Sequence, residues 1–96
     1  MSENTPSAYK LSVRIQNKLG LHTRAATLFV QLASSFPCEV FIEKEGQEVN
    51  GKSIMGILML VAGLGAQVSV RCQGERADEA CAALVKLIDS KFGETE

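Results

Sequence analysis

Apolar and polar residues alternate in several stretches of this chain, and in others the apolar residues recur every three or four positions. Tyr9, Leu11, Val13 and Ile15 are interleaved with Lys10, Ser12, Arg14 and Gln16, the period of a strand with one wet face. Asn17-Lys18-Leu19-Gly20 breaks that pattern. Ala25, Leu28, Phe29, Leu32, Ala33 and Phe36 then form one apolar stripe, which predicts a helix from Thr23 to Ser35 closed by Pro37. Cys38, Val40 and Ile42 alternate with Glu39, Phe41 and Glu43, and the Lys44-Glu45-Gly46 turn leads into a short second arm, Gln47 to Val49, making a hairpin. A compact helix is expected from Ser53 to about Ala62, ended by the glycines from Gly63 to Gly65. Val68, Val70 and Cys72 alternate with Gln67, Ser69, Arg71 and Gln73 as a fourth strand. Ala77, Ala80, Cys81, Leu84, Leu87, Ile88 and Phe92 mark a terminal helix from about Ala77 to Phe92, with Gly93 past its end.

The order is βαββαβα, a split β-α-β arrangement with one helix appended. Each strand keeps one polar face, so the helices should cover the other side only. The expected fold class is α+β, an open-faced sandwich of a four-stranded antiparallel sheet with three helices on one face. Residues 1–8 read as a loose lead-in, 9–93 as a single domain and 94–96 as a short tail. A chain of 96 residues leaves no room for a second core.

Charge removes several function classes. Ten basic and eleven acidic residues are spread along the chain for a net charge of -1, which leaves no electrostatic footprint for nucleic acid. An RNA-binding sheet would also need exposed aromatics, and only Phe41 is expected on the wet side. Cys38, Cys72 and Cys81 are odd in number and lack metal-ligand spacing, so reduced buried thiols are expected, with no metal and no cofactor. Nothing in MSENTPSAYK resembles a secretion signal, and the longest apolar run, Ile54 to Ala62, falls far short of the roughly 20 residues that span a bilayer. A cytoplasmic protein without membrane contact is the expectation.

Gly46 to Ser53 reads G-x-x-x-x-G-K-S, the spelling of a nucleotide phosphate loop. A true phosphate loop follows a buried parallel strand, whereas this segment is most simply a hairpin arm, an Asn50-Gly51 turn and Ser53 as the N-cap of the next helix. That helix, with Ile54, Met55, Ile57, Leu58, Met59, Leu60 and Val61, has almost no polar face. Two or three of these side chains should stay exposed as an apolar patch, either left over from core packing alone or a surface on which partners dock.

The only histidine, His22, sits in the stretch NKLGLHTRAAT between Gly20 and a helix start. Gly20 can adopt a backbone geometry that other residues resist. The unpaired N–H groups of the helix mouth disfavour a charged imidazole and leave a neutral, nucleophilic ring. Should the ring acquire a phosphoryl group, the amides of Thr23 and Arg24 and the Arg24 guanidinium can hold the new negative charge. Leu21 and Thr27 flank this position as candidate docking residues, with Ile54, Met55 and Leu58.

Together GLHTRAA, NGKSIMGILML and ALVKLID resemble the HPr family, the histidine-containing phosphocarriers of the bacterial phosphoenolpyruvate-dependent phosphotransferase system. The resemblance covers Tyr9 to Phe92. It implies that His22 takes a phosphoryl group on Nδ1 from phosphorylated enzyme I and passes it to enzyme IIA domains, most of the catalysis belonging to those partners. It also implies a sheet order of 1-4-2-3, a monomer, and modification of Ser53 where an HPr kinase/phosphorylase exists. The alternative is a regulatory module of the nitrogen-type branch that acts by binding. Two departures stand out. Ala25 occupies the place of the family's proline, and Gln31 and Ser34 stand on the exposed helix face where many relatives carry lysine.

Overall fold

The computed structural model describes residues 8–96. Its elements are β1 (Ala8–Arg14), α1 (Thr23–Ser34), β2 (Glu39–Lys44), β3 (Gln47–Asn50), α2 (Ile54–Leu58), β4 (Gln67–Gln73) and α3 (Ala77–Asp89), followed by a 3-10 turn at Lys91–Gly93. Of the expected lead-in, residues 1–7 lie outside the described residues, and Ala8 already pairs with Gln73 in the sheet. The strands form one antiparallel sheet in the order β1-β4-β2-β3, the open-faced α+β architecture that the alternation implied.

Register explains the layering. Val70 stands opposite Leu11 on one side and Ile42 on the other, and Ile42 stands opposite Val49. One face therefore carries Val40, Ile42, Val68, Val70 and Cys72, all buried beneath the helices with Phe29, Ile57, Leu84 and Ile88. The opposite face is wet and charged. There the Arg71 guanidinium lies 4.3 Å from the centre of the Phe41 ring and bonds both oxygens of Glu48 at 2.9 Å. β1 is an edge strand, and Tyr9 and Leu11 on its apolar side remain half-exposed.

Two helices end earlier than their apolar stripes suggest. α2 stops at Leu58 rather than near Ala62, because Leu60 N–H and Val61 N–H bond back to Ile57 and Leu58 carbonyls and tighten the last turn. Val61 then takes a left-handed backbone at φ 50. A continued helix would have carried Val61 and Leu64 inward below Ile57. The break instead buries Leu60 and Ala62 and leaves Val61 and Leu64 exposed. The Lys44 ammonium donates to the Leu60 and Val61 carbonyls and holds the turn against β2. Similarly, α3 ends at Asp89 rather than Phe92. Lys91 and Phe92 adopt left-handed conformations at φ 63 and 55, which return the Phe92 ring to the core and reverse the chain toward the start of α1.

Candidate functional site

The turn before α1 is made by Gly20, whose φ is +68. A Cβ there would lie 2.4 Å from the Ala62 carbonyl oxygen and 2.7 Å from the Gly63 Cα, so both the conformation and the close approach require glycine. Leu21 N–H donates to the Ala62 carbonyl at 2.8 Å, fastening this turn to the segment that follows α2. His22 is thereby delivered to the N-cap position with an extended backbone (φ -85, ψ 178), and its side chain makes no cap bond. The first helical bond runs from Ala26 N–H to the His22 carbonyl at 2.8 Å. The N–H groups of Thr23, Arg24 and Ala25 consequently have no intrahelical acceptor. Thr23 and Arg24 are exposed, but Ala25 is fully buried. The Ala25 methyl thus packs in the core.

The His22 ring is held by a carboxylate that no local pattern announces. Its Nε2 lies 2.6 Å from Glu94 Oε2. The fully buried Asn17 uses its Nδ2 to donate to the Gly20 carbonyl at 2.8 Å and to Glu94 Oε1 at 3.0 Å. One amide thus ties the turn that presents His22 to the acid that grips it. Lys18 N–H donates to the Glu96 carbonyl at 2.8 Å, so residues 94–96, expected as a tail, line the site. Burial alone would raise the Glu94 carboxyl. The hydrogen bonds from His22 and Asn17, with the nearby Arg24 guanidinium, outweigh it and hold the group below the ordinary carboxylate range. Glu94 is missed by sequence reasoning because it lies 72 positions from His22.

These groups border an open cavity of about 610 Å³, lined by Lys18, Leu19, His22, Arg24 and residues 93–96. Arg24 forms no ion pair among the described residues, whereas the Lys18 ammonium sits 3.6 Å from Glu96 Oε1. An anion entering beside His22 would meet exposed amides and a cation not engaged by a carboxylate within the described residues.

The other candidate residues divide. Leu21, expected on the docking surface, is buried at 6% exposure and belongs to the core. Thr27 is half-buried, and its hydroxyl donates to the Thr23 carbonyl. Ile54 and Leu58 are also half-buried, while Met55 is 73% exposed. Met59, Val61, Leu64 and Leu19 extend the apolar surface; Leu64 lies past the expected end of the helix at Ala62 and Leu19 in the turn before α1, so neither belonged to an apolar stripe. The Leu21–Ala62 bond sets this surface beside His22. Ser53 caps α2, accepting from Gly56 N–H at 3.0 Å, and Asn50 Oδ1 accepts from Lys52 N–H at 2.9 Å. The phosphate-loop spelling therefore folds as an antiparallel hairpin arm, an Asx turn and a cap. Among the described residues there is no group of three or more potential metal ligands, and no helix is long and apolar enough to cross a membrane. The three thiols are free and buried.

Comparison with known proteins agrees with this geometry. A family model described as "PTS HPr component phosphorylation site" matches residues 9–90. The phosphocarrier protein HPr of Pseudomonas aeruginosa is 47% identical over 87 residues, covering 90% of this chain and 97% of its own. A crystal structure of HPr-C-His from Thermoanaerobacter tengcongensis superposes with a TM-score of 0.88 at 46% identity, over 92% of this chain and 99% of the other. A structure described as an HPr dimer from the same organism gives a TM-score of 0.72 at 47% identity, covering 98% of this chain and all of that one.

Proposed function

This chain belongs to the HPr family of the phosphotransferase system and serves as one of its phosphocarriers, and we propose that His22 is the residue that carries the phosphoryl group. The observation that supports this most directly is the bond from His22 Nε2 to Glu94. An ionised carboxylate can only accept, so the ring hydrogen belongs on Nε2 and the lone pair on Nδ1. Nδ1 attacks phosphorus as the bond to the donor's departing atom breaks. On delivery the acceptor attacks in turn, and the N–P electron pair returns to Nδ1. Transfer of this kind needs in-line approach and charge stabilisation rather than an enclosed pocket. Arg24 and the Thr23 and Arg24 amides supply the stabilisation on this side.

Enzyme I is the donor and enzyme IIA domains are the acceptors in this reading, docking on Ile54, Met55 and Leu58 with Met59 and Val61 beside them. Met55 and Met59, four apart at the exposed edge of α2 and its end, give a surface that can adapt to more than one partner. Both partners need His22 and this patch uncovered, which favours a working monomer. The free buried thiols suit a reducing, cytoplasmic setting. An HPr kinase/phosphorylase acting on Ser53 would replace the bond to Gly56 N–H and add a charge of about -1.5 to -2 next to Met55, opposing apolar docking.

Incubation with enzyme I and labelled phosphoenolpyruvate tests the assignment. The wild type should take up one acid-labile phosphate, and His22→Ala should take up none. Label retained by the folded variant would refute His22 as the carrier.

A further inference from the structure

Resting on His22 as the acceptor, we infer that Glu94 is a positioning residue that fixes the tautomer of the ring and stabilises the positive charge that the ring gains during transfer. Three observations carry this. Glu94 Oε2 lies 2.6 Å from His22 Nε2, close enough for a charge-assisted bond. The contact is partly shielded, the Glu94 side chain 11% and the His22 side chain 26% exposed, so solvent screens it incompletely. Finally, the fully buried Asn17 holds Glu94 through the same amide group that holds the Gly20 turn, so acid and histidine are oriented as one unit.

The chemistry needs such a group. A neutral imidazole with hydrogen on Nε2 attacks through Nδ1. As the N–P bond forms and the donor bond breaks, the ring becomes a phosphoimidazolium that keeps its Nε2 proton. The start of α1 favours the incoming phosphoryl oxygens but opposes a cation on the ring, since the positive helix end acts on both. Glu94 resolves that conflict by placing a negative charge on the side of the ring away from Nδ1. It keeps its own proton state throughout and acts by orientation and charge, as the carboxylate of a carboxylate–histidine pair does. The other charged groups lining the cavity are Lys18, Arg24 and Glu96. Lys18 is paired with Glu96, which leaves Glu94 as the carboxylate that touches the imidazole.

The test uses the full chain labelled with ¹⁵N, as wild type, Glu94→Ala and Glu94→Gln. Long-range proton–nitrogen correlations report the His22 tautomer without any phosphoryl donor, and uptake from enzyme I is followed across the pH range in which histidine titrates. The wild type should hold the hydrogen on Nε2. Glu94→Ala should populate both tautomers and lose about 10-fold in kcat/KM for uptake. Glu94→Gln has one acceptor oxygen where the carboxylate has two; with that oxygen toward Asn17 Nδ2 its NH2 faces His22 Nε2, so the variant should move the ring hydrogen toward Nδ1 and, lacking the charge, shift the uptake profile to lower pH. A purely structural role would move neither the tautomer nor the profile. Wild-type behaviour of Glu94→Ala in both measurements overturns the inference, as does an unshifted profile in Glu94→Gln, which also decides the matter should the alanine variant fold poorly. Failure of the carrier assignment is separate, because it shows as label retained by His22→Ala.

Discussion

Two helices in this fold begin at residues with the same backbone role and opposite side-chain behaviour. At the start of α2, Ser53 takes an extended conformation and turns its hydroxyl onto Gly56 N–H at 3.0 Å. At the start of α1, His22 takes an equally extended conformation, but its ring turns away to Glu94 and caps nothing. The first arrangement satisfies an orphan donor within four residues. The second leaves the first-turn donors of α1 open and relies on tertiary structure to hold the turn: Gly20 against Ala62, Asn17 across Gly20 and Glu94, and Ala25 and Ala26 in the core. One helix start is built to be stable, and the other gives up a cap so that an anion can use it.

The sharpest way to break this contrast is at the turn that replaces the cap. Gly20→Ala forces a side chain into a left-handed position against the Ala62 carbonyl. Strain and overpacking together should cost about 2–4 kcal/mol, read as a lowered urea midpoint, with phosphoryl uptake falling alongside. Arg24→Ala should leave the fold intact, because the side chain is exposed and pairs with no carboxylate among the described residues, yet slow uptake by about 10- to 100-fold. Steady-state transfer from enzyme I measures this, and an unchanged rate would remove Arg24 from the site. Ser53→Ala should cost about 1 kcal/mol in equilibrium unfolding. His22→Ala should cost less than about 1 kcal/mol, since it removes no cap bond and only a partly exposed pair. A reversal of that order would mean that the two helix starts are not stabilised as described.

The smallest effect is in the pH dependence. The Glu94 carboxyl is depressed in the folded state, mainly through hydrogen bonds that outweigh its burial. Its contribution to stability is therefore complete above the ordinary carboxylate range and is lost as pH falls through its lowered folded value. Glu94→Gln should flatten that acid limb in urea titrations taken at several pH values. An identical limb in wild type and variant would mean that the carboxylate is not held as the geometry indicates.

Much of this contrast could be read from the sequence, and the unread part has a physical reason. Alternation in β1, β2 and β4 and the stripes of α1 and α3 report burial directly, because period and face are local properties. Ser53 was readable as a cap because it serves its own helix three residues on. The early ends of α2 and α3 were not readable. Val61, Lys91 and Phe92 adopt left-handed backbones without a glycine to signal them, the conformation being held by Lys44 in one case and by burial of Phe92 in the other. Leu21 looked like a surface neighbour of His22, but its N–H bond to Ala62 turns the side chain inward. Glu94 was invisible for the plainest reason: its partner lies 72 positions away, and only the left-handed reversal after α3 brings them together.

The central claim is that His22 is phosphorylated on the nitrogen facing away from Glu94. It is tested most directly by phosphorylating the ¹⁵N-labelled chain with enzyme I and phosphoenolpyruvate and recording nitrogen–phosphorus couplings of the imidazole. The account predicts a phosphorus coupling at His22 Nδ1 with the hydrogen retained on Nε2. A coupling at Nε2, or phosphate on any other residue, would contradict it.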